Sequence, residues 1–366
     1  MIQTPDPSRV AAEFALPQAV ERIEDLNRGL INQTFLLYGG DNAPIAVLQR
    51  INPRVFTEPQ RQMKNLRVVI DHVRHSPHHG LRLPQLFSTR DGHDWLIDQD
   101  GACWRALEFI DRARVLETAA NPAQATAIGR ALGQFHVMTN DLKCSALTDT
   151  LRNFHVTPYY LDRFDQTCAT ASEATTGPLT DLLKFIDDRR NRVSVLEDAK
   201  AKEILHRRLV HGDPKIDNFL LDQHADRVVA LVDLDTINCG LVQYDIGDCL
   251  RSVCNPAGES PTEVRLARFD LPFCESALNA YLHVSGDFFT QDDYELLYPA
   301  IELIPFELGL RFLTDHLAGD QYFKTQWRGQ NLHRARVQFH LVAEIENSRK
   351  QIESIIRKSR DRQTAR

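Results

Sequence analysis

The sequence predicts an α+β fold made of two lobes: an N-terminal antiparallel sheet with one helix, and a mostly helical C-terminal lobe. Two observations support this prediction. Over residues 1–110, short apolar runs alternate with turn signals such as Gly39-Gly40-Asp41-Asn42, a pattern typical of antiparallel hairpins. Over residues 111–366, apolar residues recur mainly at helical spacing. We therefore expect the boundary between the lobes near Asp111.

The elements of the first lobe follow from its apolar runs and the turns between them. Residues 9–20 predict a short helix and residues 58–75 a longer one. Strands are expected within residues 23–38 and over residues 45–50, 85–88, 94–97 and 104–110.

The second lobe reads as a series of helices. They are predicted over residues 122–139, 179–186, 193–205, 270–284, 292–303, 306–317 and 334–357, with one more opening near Tyr244. Residues 122–139 carry a single apolar stripe, and we interpret His136 beside it as a polar neighbour rather than a ligand. Residues 173–178 predict a surface loop, and the basic residues 357–360 predict a solvated tail.

Composition excludes several classes of protein. The 366 residues are 43% hydrophobic and 25% charged, as in an ordinary globular protein, and a net charge of −7 argues against a nucleic-acid partner. The N-terminal residues lack the pattern of a secretory signal, and no apolar run reaches transmembrane length, so we expect a cytoplasmic protein without a membrane partner. Seven cysteines without a Cys-x-x-Cys pair favour reduced thiols, with Cys249 and Cys254 as packing residues.

The chemistry is concentrated in one loop and the strand that follows it. Leu209-Val210 leads into His211-Gly212-Asp213, with Asn218 five residues after the aspartate, and the apolar run 228–232 then ends in Asp233-Leu234-Asp235. This order and spacing match the catalytic loop and the later metal-binding aspartate of kinases. Each piece alone is also typical of a polar turn or a capped strand end. Several matched positions in the right order favour the catalytic interpretation.

Phosphoryl transfer explains why these residue types occur together. The reaction needs hard oxygen ligands for Mg²⁺ and a carboxylate beside the attacking hydroxyl. Asp213 is the predicted proton acceptor, Asn218 and Asp233 are the predicted metal ligands, and Asp235 is an auxiliary metal ligand. Lys215 is expected to stabilise the γ-phosphate of ATP.

These motifs resemble the aminoglycoside phosphotransferase and choline kinase-like superfamily. The segment from Asp233 to Asp248, with Asp233-Leu234-Asp235-Thr236 and Tyr244-Asp245-Ile246-Gly247-Asp248, is most similar to the N-acetylhexosamine 1-kinase branch. Four further segments share the resemblance, which therefore covers nearly the whole chain: residues 48–52, Trp104-Arg105, residues 153–158 and residues 309–315.

The resemblance implies a protein-kinase-like fold and the phosphorylation of an anomeric sugar hydroxyl. It implies that Arg311 lies in the sugar pocket, and we assign His155 there too. An intrahelical ion pair of Arg311 with Glu307 or Asp315 is the alternative, because these residues lie four positions away on either side. His211 and Asp245 are expected to support the catalytic loop, although an acid at a helix start is also favoured by the helix dipole.

The nucleotide site departs from the kinase pattern. Kinases carry a strand lysine paired with a helix glutamate, whereas the strand here offers Gln49 and Arg50, and the next helix has no glutamate beyond Glu58. The phosphate contact is therefore expected from Arg50, from the Gln49 amide, or from Lys215 and the metal. Gly29 is a weak signal for a phosphate-binding turn. The predicted nucleotide-binding residues are Asn32, Thr34, Gln49, Arg50, Glu108 and Ile110, the last two at a hinge that ends the lobe spanning residues 1–110.

The sequence thus predicts an ATP- and Mg²⁺-dependent kinase of a sugar hydroxyl, first of all the anomeric hydroxyl of an N-acetylhexosamine. An aminoglycoside, a choline-like amine or a cyclitol is the alternative acceptor, and the basic C-terminus disfavours a polycationic one. A kinase-like binding module without turnover is a second alternative. The missing strand lysine favours that module, and the intact catalytic loop argues against it.

Overall fold

A computed structural model describes residues 6–26, 31–76, 80–171 and 179–364. The predicted phosphate-binding turn at Gly29 and the predicted surface loop at residues 173–178 lie outside the described residues. In the part described, the chain forms the predicted α+β fold, with antiparallel sheet in the first third and helices in the remainder.

Six strands form the N-terminal sheet in the order β1-β2-β3-β6-β4, with β5 paired to β6. Every pairing is antiparallel. Side chains alternate between the two faces along each strand, so Leu48 and Trp104 enter the core of this sheet while Val47 and Gln49 face the opposite way. The strands are β1 Arg22–Asp25, β2 Gln33–Tyr38, β3 Pro44–Arg50, β4 Leu86–Phe87, β5 Leu96–Ile97 and β6 Cys103–Glu108.

Two helices accompany this sheet. The first, α1 Pro7–Ala12, is capped by Asp6 and is shorter than the predicted helix over 9–20. It ends early because Phe14 forms a bridge with Thr89, which requires extended backbone. The second, α2 Pro59–Arg74, matches the prediction within one residue at each end and packs its apolar side into the main core.

The segment that carries the predicted catalytic residues lies between short strands. Strand β8 Arg208–Val210 pairs with β11 Asn238–Gly240, and β9 Phe219–Asp222 pairs with both β10 Val228–Leu231 and β7 Ala113–Arg114. The loop carrying Asp213 therefore starts at the end of β8 and finishes where β9 begins. The segment carrying Asp233 follows β10, the neighbour of β9.

Helices form the rest of the second lobe. Prediction and structure agree residue for residue for α3 Pro122–Thr139, and the α3 core residues pack against α8. Helix α4 was absent from the prediction. The bounds are α4 Thr157–Thr170, α5 Thr180–Asp187, α6 Val195–Ala201, α7 Val242–Val253, α8 Leu271–Ser285, α9 Gln291–Glu295, α10 Leu297–Leu317, α11 Gln330–Asn347 and α12 Arg349–Thr364.

Several predicted helix boundaries in the second lobe were wrong. Helix α6 stops at Ala201, because the chain soon takes the left-handed conformation at Glu203. In place of the expected helices over 292–303 and 306–317, α9 ends at Glu295 and α10 begins at Leu297. Helix α10 then runs through Pro305, because packing of buried α10 residues outweighs a proline cost of about 3 kcal/mol. The predicted final helix is instead two, divided at Ser348, and the basic run 357–360 is helical, with Ser359 donating to Asn279 at 2.6 Å.

The expectation that all cysteines are reduced was also wrong. Cys144 and Cys239 form a disulfide with their Cα atoms 5.6 Å apart, across 95 residues of sequence. The sequence contains no local signal for this pair, because only the fold brings the turn after α3 next to β11. Cys249 and Cys254 are free and buried, as predicted. No helix in the described ranges is long and apolar enough to cross a membrane.

Candidate active site

A cleft of about 440 Å³ lies between the N-terminal sheet and the loops that follow β8 and β10. Its sheet side includes Thr34, Val47 and Gln49, and its far end is formed by residues of α10. Of the predicted site residues, twelve line it: Asp213, Lys215, Asn218, Asp233, Asp235, Asn32, Thr34, Gln49, Glu108, Ile110, His155 and Arg311. The sequence motifs from both lobes therefore meet around one cavity.

The predicted catalytic loop, residues 211–218, is held by a carboxylate from α7. Asp245 accepts hydrogen bonds from the backbone N–H groups of His211 at 2.7 Å and Gly212 at 2.8 Å. It also lies 2.9 Å from Nε2 of the buried His136, whose Nδ1 is 2.7 Å from the hydroxyl of Tyr281. Burial opposes ionisation of Asp245, but these partners outweigh it and lower the pKa of its carboxyl. A charged Asp245 thus fixes the start of the loop.

Gly212 has to be a glycine. Its φ of 88° is in the left-handed region, and a Cβ there would lie 2.6 Å from the carbonyl oxygen of Thr236. The Thr236 hydroxyl donates to the carbonyl of His211 at 2.7 Å, while His211 Nε2 lies 3.0 Å from the carbonyl of Val232. The catalytic loop is therefore packed directly against the segment that carries Asp233.

Asp213 occupies the centre of this loop. The amide Nδ2 of Asn218 donates to the Asp213 carbonyl at 2.7 Å, and Nζ of Lys215 lies 3.9 Å from Asp213 Oδ2 and 3.4 Å from Asp217 Oδ2. Desolvation within the cleft raises the pKa of Asp213 to about 8, against the opposing effect of Lys215. In its ionised form the Asp213 carboxylate is therefore a stronger proton acceptor than an ordinary aspartate.

Asn218 and Asp233 provide the oxygen donors that Mg²⁺ prefers. The N–H of Val232 donates to the Asn218 carbonyl at 2.9 Å, which ties the two segments together just before Asp233. Because Nδ2 of Asn218 bonds the Asp213 carbonyl, Oδ1 is its atom suited to a metal. Asp233 has a φ of 60°, and desolvation together with Asp235 raises the pKa of its carboxyl to about 6. This donor set fits a divalent cation.

Asp235 differs from its predicted role as an auxiliary metal ligand. Its Oδ2 accepts from Nδ2 of Asn32 at 2.6 Å, and its Oδ1 forms an ion pair with Nη1 of Arg105. The carbonyl of Asp235 accepts from Gln62 of α2 at 2.8 Å. Both carboxylate oxygens are therefore engaged by residues of the first lobe.

Arg105 is a cleft residue that sequence reasoning missed. It was noted only as part of the resembling pair Trp104-Arg105, although an arginine within an apolar strand is itself a signal of an unusual environment. Arg50, in contrast, was expected at the nucleotide but lies on the other face of the sheet, with its guanidinium 6.0 Å from the Trp104 ring. It does not belong to the cleft lining.

Glu108 and Ile110 lie at the end of β6, where the hinge was predicted. The Glu108 carboxylate is 2.5 Å from Nη2 of Arg82 and accepts from the N–H of Gln85 at 3.2 Å. The side chain of Glu108 is thus engaged at the edge of the cleft, while Leu107, Phe109 and Ile110 supply apolar lining.

His155 supports the catalytic loop from the α4 side. Its Nε2 lies 2.6 Å from the carbonyl of Gly212 and its Nδ1 3.1 Å from Glu307, which also accepts from the Thr157 hydroxyl at 2.8 Å. Burial opposes protonation of His155, but the Glu307 carboxylate outweighs it and the pKa of the imidazole is raised. Both ring nitrogens are used in these contacts. His155 therefore lines the cleft without a free ring nitrogen for a substrate hydroxyl.

Arg311 points into an aromatic enclosure. Its guanidinium carbon lies 5.2 Å from the ring centres of Phe154 and Tyr160 and 5.6 Å from that of Phe323. The alternative ion pairs are not formed in the described residues, since Glu307 is engaged by His155 and Thr157. Asp315 accepts instead from the backbone N–H groups of residues 321–323.

A second ionic group borders the cleft beside Lys215, and sequence reasoning missed it as well. Arg251 donates through Nε to Asp248 at 2.7 Å and through Nη1 to Glu259 at 3.1 Å. All three residues line the cleft. These acids are thus already paired with a cation.

Comparison with known proteins agrees with this geometry. The model of the phosphotransferase enzyme family, APH, matches residues 22–281, which is more than half of the chain. Among solved structures, a microcompartment-associated aminopropanol kinase is similar, with a TM-score of 0.65 and 16% identity over 95% of this chain and 98% of that one. An aminoglycoside phosphotransferase from Alicyclobacillus acidocaldarius gives a TM-score of 0.65 and 15% identity, over 96% and 98%.

A spectinomycin phosphotransferase in complex with ADP and spectinomycin has a TM-score of 0.59 and 12% identity, over 96% of this chain and 99% of that one. At such identities the structural matches show the fold, which is that of kinase-like phosphotransferases. Taken with the family match, they establish that this chain belongs to the phosphotransferase enzyme family.

Proposed function

We propose that this protein is an ATP- and Mg²⁺-dependent kinase that transfers the γ-phosphoryl group to a hydroxyl of a sugar. The observation that carries this proposal is the convergence of Asp213, Lys215, Asn218 and Asp233 on one cleft whose other wall is the N-terminal sheet. We propose residues 1–110 as the nucleotide-binding lobe and residues 111–366 as the catalytic lobe, in a cytoplasmic enzyme.

Each residue has a defined role in the proposed reaction. Asp213 accepts the proton of the acceptor hydroxyl as its oxygen attacks the γ-phosphorus, and the bond from that phosphorus to the ADP oxygen breaks. Lys215 offsets negative charge on the transferred group. Asn218 and Asp233 would hold Mg²⁺, which neutralises phosphate charge when bound. Asp245 and His155 keep the loop in position through its backbone.

The charges at the acceptor end favour a neutral sugar over a cationic amine. Glu307 is engaged by His155 and Thr157, and Asp248 and Glu259 are engaged by Arg251. The aromatic rings that could surround an ammonium group enclose Arg311 instead. A guanidinium is well suited to multiple hydrogen bonds with sugar oxygens. The anomeric hydroxyl of an N-acetylhexosamine is our first candidate, from the resemblance of the motifs.

An amino-alcohol or aminoglycoside acceptor is the second candidate. It is favoured by the similar structures, which include the aminopropanol kinase, a Plasmodium vivax ethanolamine kinase with a TM-score of 0.55, and aminoglycoside phosphotransferases. Binding of such a cation here requires an acid to leave its present partner. We therefore rank it below the sugar.

The test is ADP release from ATP and Mg²⁺ with N-acetylhexosamines, other monosaccharides, cyclitols, choline, ethanolamine and kanamycin. Asp213→Asn serves as the blank, because it removes the proton acceptor, and Asp188→Asn, at an exposed position outside the cleft, is the matched control. We expect sugar-dependent release in the wild type and the control only, with phosphorus NMR showing phosphate on the anomeric oxygen. Faster turnover with amines would reverse the ranking, and full activity in Asp213→Asn would refute the mechanism. Nucleotide binding with silence across the panel would favour a binding module without turnover.

A further inference from the structure

We propose that Arg105, held in place by Asp235, is the cation that contacts the nucleotide phosphates in this protein. The pair would do the work of the strand lysine and helix glutamate of kinases. This inference rests on the proposed nucleotide binding, and it concerns residues to which the sequence motifs assign no such role.

Strand register puts Arg105 at the right place. Strands β3 and β6 are neighbours, with Gln49 directly opposite Arg105 and Arg50 directly opposite Trp104. Because side chains alternate, the first pair faces the cleft and the second faces away from it. Arg105 on β6 therefore lies on the same face of the sheet, towards the cleft, as a lysine at position 49 of β3 would.

Gln49 acts as a support for this arginine. Its Oε1 accepts from Nε of Arg105 at 2.9 Å and from Nη2 at 2.6 Å, while its Nε2 lies 3.2 Å from the hydroxyl oxygen of Thr34. These contacts set the plane of the guanidinium. Two N–H groups directed at Gln49 and one at Asp235 leave two of the five guanidinium N–H groups for phosphate oxygens.

Asp235 connects the arginine to the metal segment. Asp235 is two residues after Asp233, and its side chain is 3% exposed against 2% for Arg105. Asn32 and Gln62 hold the same aspartate from the segment before β2 and from α2. Arg105 is thus tied to the same short segment that carries Asp233, the proposed metal ligand. This placement suits an arginine and a metal ion that bind the same chain of phosphates.

The charge balance also argues for a ligand. A buried ion pair is expensive to desolvate and is often replaceable by apolar residues without loss of stability. Arg105 and Asp235 are nevertheless at the wall of the cleft rather than in a closed core. A phosphate chain would provide partners for the guanidinium N–H groups that Gln49 and Asp235 leave unused.

The experiment measures nucleotide affinity without an acceptor, by calorimetry with ATP, ADP, AMP and adenosine in the presence of Mg²⁺. In Arg105→Gln we expect tenfold to hundredfold weaker binding of ATP and ADP, with adenosine within twofold of the wild type. Arg105→Lys should recover part of the loss, because it retains the positive charge. Arg50→Gln is the matched control, an arginine on the adjacent register pair and on the other face of the sheet, and should leave every affinity unchanged.

A second variant guards against misfolding. Arg105→Gln combined with Asp235→Asn removes both buried charges together, and its ratio of ATP to adenosine affinity should fall as in the single variant. Asp235→Asn alone should weaken ATP binding less, since it leaves the cation but frees its orientation. The inference would be overturned if the double variant kept the wild-type ratio of ATP to adenosine affinity. It would also be overturned if Arg50→Gln, rather than Arg105→Gln, weakened ATP binding.

The result is separable from the proposed function. A wild type that binds ATP in an Arg105-dependent way but transfers no phosphate would support this inference and contradict the kinase proposal. A wild type that transfers phosphate while Arg105→Gln keeps its full ATP preference would do the opposite. Absence of all nucleotide binding would overturn both.

Discussion

The imidazole Nδ1 of His155 lies 3.1 Å from the carboxylate Oε1 of Glu307, and both side chains are buried at the end of the cleft. The residues are 152 positions apart in the chain. Through its other nitrogen, His155 contacts the carbonyl of Gly212, next to Asp213. The pair therefore links α10 to the catalytic loop. Its protonation state should change the free energy of unfolding.

The His155–Glu307 pair predicts a pH dependence of unfolding. The pKa of His155 is raised in the folded protein above its ordinary 6.5, so its contribution is complete below about pH 6.5 and is lost as pH rises through the folded-state pKa. Thermal unfolding between pH 6 and pH 9 should show a stability gap between wild type and His155→Gln that narrows at high pH. His224→Gln, at an exposed turn, is the control. A gap independent of pH contradicts this prediction.

The hydrogen bonds from the backbone of the catalytic loop to Asp245 predict that stability and activity are lost together when this carboxylate is replaced. Asp245→Asn replaces one carboxylate oxygen by a donor that faces the N–H of His211 or Gly212, and should cost about 2–3 kcal/mol in urea unfolding. Turnover should fall as well, because the loop carries Asp213. Asp222→Asn is the control, since this carboxylate accepts from the N–H of His224 at 2.9 Å in an exposed turn. Equal losses in both variants would argue against a special role for Asp245.

The Cys144–Cys239 disulfide predicts a measurable redox effect on stability. Loss of a disulfide typically costs about 2–4 kcal/mol, and chain entropy alone gives about 4.7 kcal/mol for a closed loop of roughly 100 residues. Cys144→Ser without reductant and wild type with dithiothreitol should therefore unfold at similar, lower temperatures, and reductant should not shift Cys144→Ser further. Thiol titration of denatured, unreduced protein should find the five free cysteines only. Seven titratable thiols, one for every cysteine of the chain, would contradict the pair.

Arg311 predicts a selective effect on the acceptor. Arg311→Lys loses the planar fork that packs between Phe154, Tyr160 and Phe323, and should raise the acceptor KM about tenfold, or about 1.4 kcal/mol. The KM for ATP should stay within twofold. Arg163→Lys, whose guanidinium lies 5.9 Å from Tyr159 on α4, is the matched control. An equal rise in the KM for ATP would place Arg311 outside the acceptor site.

Much of the candidate site could be predicted because its pattern is local. Two of its features can be recognised in the sequence alone: the five-residue spacing between Asp213 and Asn218, and the aspartate that follows an apolar run. Helix α3 could be predicted equally well, since Asn121 caps it, Pro122 occupies its first turn, and one face is apolar. The strand residues of the nucleotide site came from comparison with the kinase pattern, and alternation of side chains along a strand shows that Gln49 and Arg50 could not both face the nucleotide.

The sequence by itself determined the catalytic segment, the antiparallel strands and most helices, because capping, periodicity and motif spacing act over a few residues. Tertiary structure alone decided the partners: Arg105 with Asp235, His155 with Glu307, and Cys144 with Cys239. It also carried α10 through Pro305, where burial outweighs local propensity. These features depend on contacts between distant parts of the chain, whose energies exceed local preferences and leave no regular spacing in the sequence.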